Sequence, residues 1–175
     1  MSNFLETFVA EWFEFSGYFV RRNVFVGPRP NGGHECELDV VAYHPGKRRL
    51  VHIEPSMDSD SWTRREERYT KKFEAGRRHI PGLFAGMDLP EDIEQVALLV
   101  YGSTANRRTL GGGRLVPMAE FMAEIRTTLA GRAIERAAVP EVFPTIRALQ
   151  FAAHYWNVAP IVSSAHTFPA TSPVT

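Results

Sequence analysis

Apolar residues recur at helical spacing near the start of the chain. Leu5, Phe8, Val9, Trp12 and Phe13 predict an amphipathic helix over 3–16, with Ser2 or Asn3 as its cap and Gly17 as its end. The pattern then changes. Tyr18, Val20, Val24 and Val26 predict a strand over 18–26. The stretch from Gly27 to Gly33, with its Pro, Asn and Gly residues, reads as a loop or hairpin tip. Two short apolar runs follow, over 35–43 and 49–54, joined by the charged turn His44-Pro45-Gly46-Lys47-Arg48-Arg49. Pro55 is expected to end the second run, because it cannot donate to an interior ladder.

Asp58-Ser59-Asp60-Ser61 supplies helix-cap side chains. A strongly charged helix is predicted from Trp62 to about Gly76, with Trp62, Tyr69 and Phe73 on one side. The continuous apolar run over 95–101 suits a buried strand. Residues 107–113 read as a loop and Arg114-Leu115-Val116 as a short edge strand. Helices are predicted over 117–129, with Pro117 in the first turn, and over 142–155. The order is α-β-β-β-α-β-(β)-α-α without internal repeats, which predicts a mixed α/β (α+β) fold with one central mixed sheet flanked by helices.

Composition narrows this only a little. The 175 residues suit a single domain over 1–156, and the Pro-, Ser- and Thr-rich stretch 157–175 is expected to be a flexible tail. Hydrophobic residues make up 44% and charged residues 23%, with a formal net charge of zero, so any nucleic-acid surface must be a local patch. Cys36 stands alone, which rules out an internal disulfide and fits a reducing compartment. No apolar stretch is long enough to span a membrane, and the acidic start does not read as a signal peptide. A cytoplasmic protein is expected.

The chemistry concentrates in the two apolar runs at the centre of the predicted sheet. Asp39 sits within Glu37-Leu38-Asp39-Val40-Val41-Ala42-Tyr43, and Glu54 within Leu50-Val51-His52-Ile53-Glu54-Pro55-Ser56. A carboxylate in a buried-type strand is costly unless compensated. Paired strands would bring these two together, and two like charges at close range call for a cation such as Mg²⁺. The alternative is a structural Asp39 paired with an arginine. Glu37 shares the strand parity of Asp39, as a third ligand or an outward acid. His52 shares the parity of Glu54 and reads as a hydrogen-bonded core histidine before it reads as a ligand.

Between Arg64 and Arg78 stand seven Lys or Arg against three Glu. This is either a phosphate-facing patch or a solvated face with internal ion pairs. Gly111-Gly112-Gly113 lacks the ending of a phosphate loop, and neither a zinc motif nor a serine-hydrolase elbow is present.

The helix, the Asp strand, the Glu strand, the following helix and the next strand together resemble the PD-(D/E)XK nuclease superfamily. Glu37 to Ala42 and His52 to Ser56 look like its two catalytic strands, and Gly17 to Val24 resembles the start of its restriction-endonuclease-like and Holliday-junction-resolvase-like branches. The resemblance covers roughly 3–101. It implies a restriction-endonuclease-like core and hydrolysis of DNA phosphodiester bonds with Mg²⁺ or Mn²⁺. Asp39 and Glu54 would be the metal carboxylates, Pro55 would offer its carbonyl, and Glu6 would be the first-helix acid.

One position departs from that pattern. The family's lysine should stand two residues after the Glu, where this chain has Ser56. Lys72 is expected to supply the missing cation, with Lys71 as the alternative, since Arg65, Arg68 and Lys72 are spaced along one helix face. Arg64, Arg65, Arg68 and Lys72 would face nucleic acid, and a homodimer is compatible with cutting two strands. The competing expectation is a degenerate relative that binds nucleic acid, or serves assembly, without cutting.

Overall fold

In the computed structural model, residues 3–102, 104 and 106–155 are described. The tail predicted for 157–175 and the cap expected of Ser2 lie outside them. Helix α1 (Phe4–Phe15) begins with a reciprocal capping box. Asn3 Oδ1 accepts from the Glu6 N–H at 3.0 Å, and the Glu6 carboxylate accepts from the Asn3 N–H at 3.1 Å. Leu5, Phe8, Val9 and Trp12 bury one face of α1. Gly17, at φ 86°, turns the chain out of the helix in a conformation that favours glycine.

Three antiparallel strands follow: β1 (Phe19–Pro28), β2 (His34–His44) and β3 (Arg49–Ser56). Helix α2 (Trp62–Leu83), capped by Ser61, crosses over the sheet to β4 (Glu94–Leu99), which is parallel to β3. Then come β5 (Thr109–Leu110), β6 (Gly113–Pro117), α3 (Met118–Ala130), the short α4 (Ile134–Ala137) and α5 (Pro144–Tyr155). The six-stranded mixed sheet runs β1-β2-β3-β4-β6-β5, flanked by helices on both faces. Among the described residues no helix is long and apolar enough to cross a membrane.

Several boundaries differ from those the sequence predicts. Strand β3 runs through Pro55 to Ser56, where the pairing to β4 continues opposite Leu98 and Leu99. Pro55 is tolerated there because the ladder to β2 has already stopped at Val40 opposite Ile53. Helix α2 passes Gly76 and ends seven residues later. The 114–116 strand lies inside the sheet, between β4 and β5, because the expected loop folds back as β5 and takes the edge.

Strand alternation assigns the two faces. Val40, Ala42, Val51, Ile53, Val96, Leu98 and Val116 pack with α1, α3 and α5. Val41, Tyr43 and Leu50 pack with the C-terminal half of α2, and Ala97, Leu99 and Leu115 with Tyr69 and Phe73 of the same helix. Leu38 breaks the alternation: it packs with Val41 on the α2 side, although Val40 faces the other way. The interruption therefore falls at Asp39. Across from it on β1 stands Asn23 at φ 50°, between the paired residues Arg22 and Val24.

Candidate active site

The interruption at Asp39 and the end of the β2–β3 ladder coincide. Ile53 opposite Val40 is the last pair, so the next position in that register sets Asp39 against Glu54. The Asp39 N–H has lost its place in the ladder and donates to Glu54 Oε1 at 3.2 Å. The strands part, and the two carboxyls meet at the fork beneath α2.

Helix α2 answers them with Lys72. Its Nζ donates to Asp39 Oδ1 at 2.6 Å and also to Glu54 Oε2. Glu54 is almost wholly buried, with its side chain 2% exposed, while Asp39 and Lys72 keep a partial opening to solvent at 14% and 21%. Burial, and then the neighbouring Glu54 charge, push the Asp39 carboxyl up to about 7. Burial raises Glu54 as well. Burial works against the Lys72 ammonium, but the charges of Glu54 and Asp39 outweigh it and hold the lysine above its ordinary value.

A buried polar chain fixes Glu54 from behind. His52 Nε2 lies 2.7 Å from Glu54 Oε1, and its Nδ1 lies 3.3 Å from Gln95 Nε2. The Gln95 amide has one orientation that satisfies its neighbours: Arg77 donates to Oε1, and Nε2 donates to the Phe73 carbonyl at 2.8 Å. Nε2 is then also the atom presented to His52, so Nδ1 accepts and Nε2–H donates to Glu54. Burial, reinforced by the Lys72 charge, brings His52 down to about 3 and keeps it neutral. Gly76 makes room for this ring, since a Cβ there would overlap His52 Nδ1. The Tyr69 hydroxyl donates to the Glu54 carbonyl at 3.1 Å.

A second cluster adjoins the first along β3. The Ser56 hydroxyl donates to Asp58 Oδ2, and Asp58 also accepts from Arg65 Nε at 2.9 Å and from Arg68. Burial opposes the Asp58 charge, but hydrogen bonds from Ser56 and Arg65 outweigh it and bring the carboxyl down to about 2. Arg65 is buried and donates to the Tyr101 carbonyl at 3.0 Å as well. Arg68 also pairs with Asp60 at 2.8 Å.

The candidate residues therefore divide. Asp39, Glu54 and Lys72 come together, and Lys71 on the same helix is exposed. Ser56 is turned to Asp58. Pro55 is a buried residue of β3 beside Glu54. Glu6 does not join the pair: Asn3 and, at 3.1 Å, Asn23 take its carboxylate oxygens. Of the residues expected to face nucleic acid, Arg64 alone is exposed without an ion pair among the described residues, while carboxylates engage Arg65, Arg68 and Lys72. Asp58, Gln95 and Arg77 are site residues that the sequence does not single out. A polar residue next to the apolar run at 96–99 is the one trace Gln95 leaves in the sequence.

Two carboxylates with an open side are a donor set that suits Mg²⁺, which binds through one or two carboxylates and keeps water or substrate oxygens. Among the described residues, no group of three or more His, Cys, Asp or Glu is placed to hold a metal ion. No family model matches the chain, and no curated protein matches it.

Proposed function

We propose that this chain is a metal-dependent nuclease-like domain on a PD-(D/E)XK-type core that hydrolyses phosphodiester bonds in DNA. The observation that carries the reading is the shared position of Asp39, Glu54 and Lys72 at the fork of β2 and β3. Asp39 and Glu54 would hold Mg²⁺ or Mn²⁺, with the Pro55 carbonyl beside them. When bound, the metal supplies an activated water and stabilises charge on the phosphate.

The chain's own residues have definite parts. The neutral His52 and the Asp39 N–H hold Glu54 Oε1, leaving Oε2 to Lys72. Lys72 stands in for the lysine absent at Ser56. Released from one carboxylate, its ammonium is placed to meet the negative charge that builds on a phosphoryl oxygen. Arg64 and Lys71 are exposed cations of α2, and they would meet the DNA backbone. A reducing cytoplasm, and a second copy for cutting both strands, accompany this reading.

A second reading has its own support. Lys72 already pairs with both carboxyls, and Asp58 and Asp60 engage Arg65 and Arg68 of the same helix. A site that supplies its own cation fits a domain that binds nucleic acid or serves assembly without cutting.

One experiment separates the two. Purified protein is incubated with linear, single-stranded and branched DNA, in Mg²⁺, Mn²⁺ or chelator, beside Asp39→Ala and Lys72→Ala. Cleavage that requires metal, Asp39 and Lys72 is the expected outcome. Absence of cleavage on every substrate, with no Mn²⁺ heat in calorimetry, refutes the nuclease.

A further inference from the structure

A second site lies on the opposite face of the sheet. A cavity of about 600 Å³ opens between α1 and α3, over β3, β4 and β6. Ile53, Leu98 and Val116 form its floor, and Trp12, Phe15 and Phe121 stand in its walls. Ile53 lies between His52 and Glu54 in sequence but points the other way, so cavity and acid pair share a strand without sharing a surface. A volume of this size, apolar at its base, suits a small organic molecule.

The polar groups of the cavity are unevenly matched. Arg49 and Arg114 both pair with Glu94, and Arg114 also with Glu120. Lys47 and Arg132 have no carboxylate partner among the described residues, and Glu124, which also lines the cavity, makes no ion pair with either. Lys47 lies over the Tyr18 ring at 5.9 Å and Arg132 over the Phe15 ring at 5.2 Å. Arg132 Nε is sealed from solvent and has no hydrogen-bond partner among the described residues. A buried donor without an acceptor is unfavourable and leaves this guanidinium short of hydrogen-bond acceptors. The planar guanidinium edge matches a carboxylate with two parallel N–H donors.

We propose that this cavity binds a small organic monocarboxylate with an apolar body. The body lies among Trp12, Phe15 and Phe121. The carboxylate is held by Arg132, with Lys47 adding positive potential at the rim. This site is independent of the nuclease reading and would stand without it.

Calorimetric titration of the full chain tests it with two probes, phenylacetate and octanoate, each beside its uncharged primary amide. The two acids distinguish an aryl from an alkyl body. At least one acid is expected to bind, with its amide weaker by about tenfold or more. Arg132→Gln should weaken that acid by a similar factor, whereas Arg126→Gln, an exposed change on α3, should leave it unaltered. Circular dichroism checks that Arg132→Gln is folded; if it is not, the comparison of acid with amide on the unaltered chain decides. Failure of both acids to bind, equal binding of acid and amide, or full affinity in folded Arg132→Gln overturns the proposal.

Discussion

Lys72 Nζ lies 2.6 Å from Asp39 Oδ1, across 33 positions of sequence, and the same ammonium reaches Glu54. One cation thus serves two carboxyls that the parting strands force together. Removing it leaves like charges in a mostly buried place, which destabilises more than the intact group stabilised. Lys72→Met is expected to lower the unfolding free energy by about 2–4 kcal/mol at mildly alkaline pH in chelator. At mildly acidic pH, where Asp39 keeps its proton, the loss should shrink. Urea denaturation at the two pH values checks this, and equal losses would contradict it.

Asp39 makes stability depend on pH in a stated direction. Its folded carboxyl titrates at about 7 against an ordinary 3.8, so between these values the folded state holds a proton that the unfolded state has lost. Stability therefore falls as pH rises through that window and levels off above it. Asp39→Asn removes this titration. The stability of wild type relative to Asp39→Asn should decline across the window by on the order of 4 kcal/mol. A flat difference across a denaturation series in chelator would place the Asp39 carboxyl near its ordinary value.

Two glycines of α2 should respond in opposite ways to the same substitution. A Cβ at Gly76 would overlap the His52 ring, whereas one at Gly82 meets nothing within 4 Å. Gly76→Ala is expected to cost about 1–3 kcal/mol by overpacking. Gly82→Ala should stabilise by about 0.5–1 kcal/mol through helix propensity. Thermal and chemical denaturation of both variants gives the comparison, and NMR of the His52 ring should shift in Gly76→Ala alone.

Arg64 and Arg65 are adjacent in sequence but not in consequence. Arg65 is buried against Asp58 and the Tyr101 carbonyl, while Arg64 is exposed. Arg65→Ala should destabilise by about 1–3 kcal/mol because it removes the buried donors to the Asp58 carboxylate, which keeps Arg68, and to the Asp58 and Tyr101 carbonyls. Arg64→Ala should leave the denaturation midpoint in place and, under the nuclease reading, weaken DNA binding in a salt-dependent way. Denaturation and binding measured at two salt concentrations separate the two arginines.

The order of elements, apart from β5 and α4, and the identity of the central acids are legible in the chain because they follow from local periodicity. Leu5, Phe8, Val9 and Trp12 repeat as a helix must to bury one face, and Asp39 and Glu54 stand out because each interrupts an apolar strand. Helical spacing likewise sets Arg65, Arg68 and Lys72 on one face of α2. Which acid each of them meets is decided only by how α2 crosses the sheet. Its first turns lie against the 58–60 loop, so Arg65 and Arg68 pair with Asp58 there, and only Lys72 reaches the fork between β2 and β3. The parallel register of β3 and β4 sets His52 beside Gln95 and so fixes the tautomer behind Glu54. Glu6 shows the opposite case, an acid on the expected helix whose own cap, three residues away, claims its carboxylate first. Short-range patterns are set by backbone geometry within a few residues. Pairings between charges depend on distances across the fold, and only the packed sheet and helices set those.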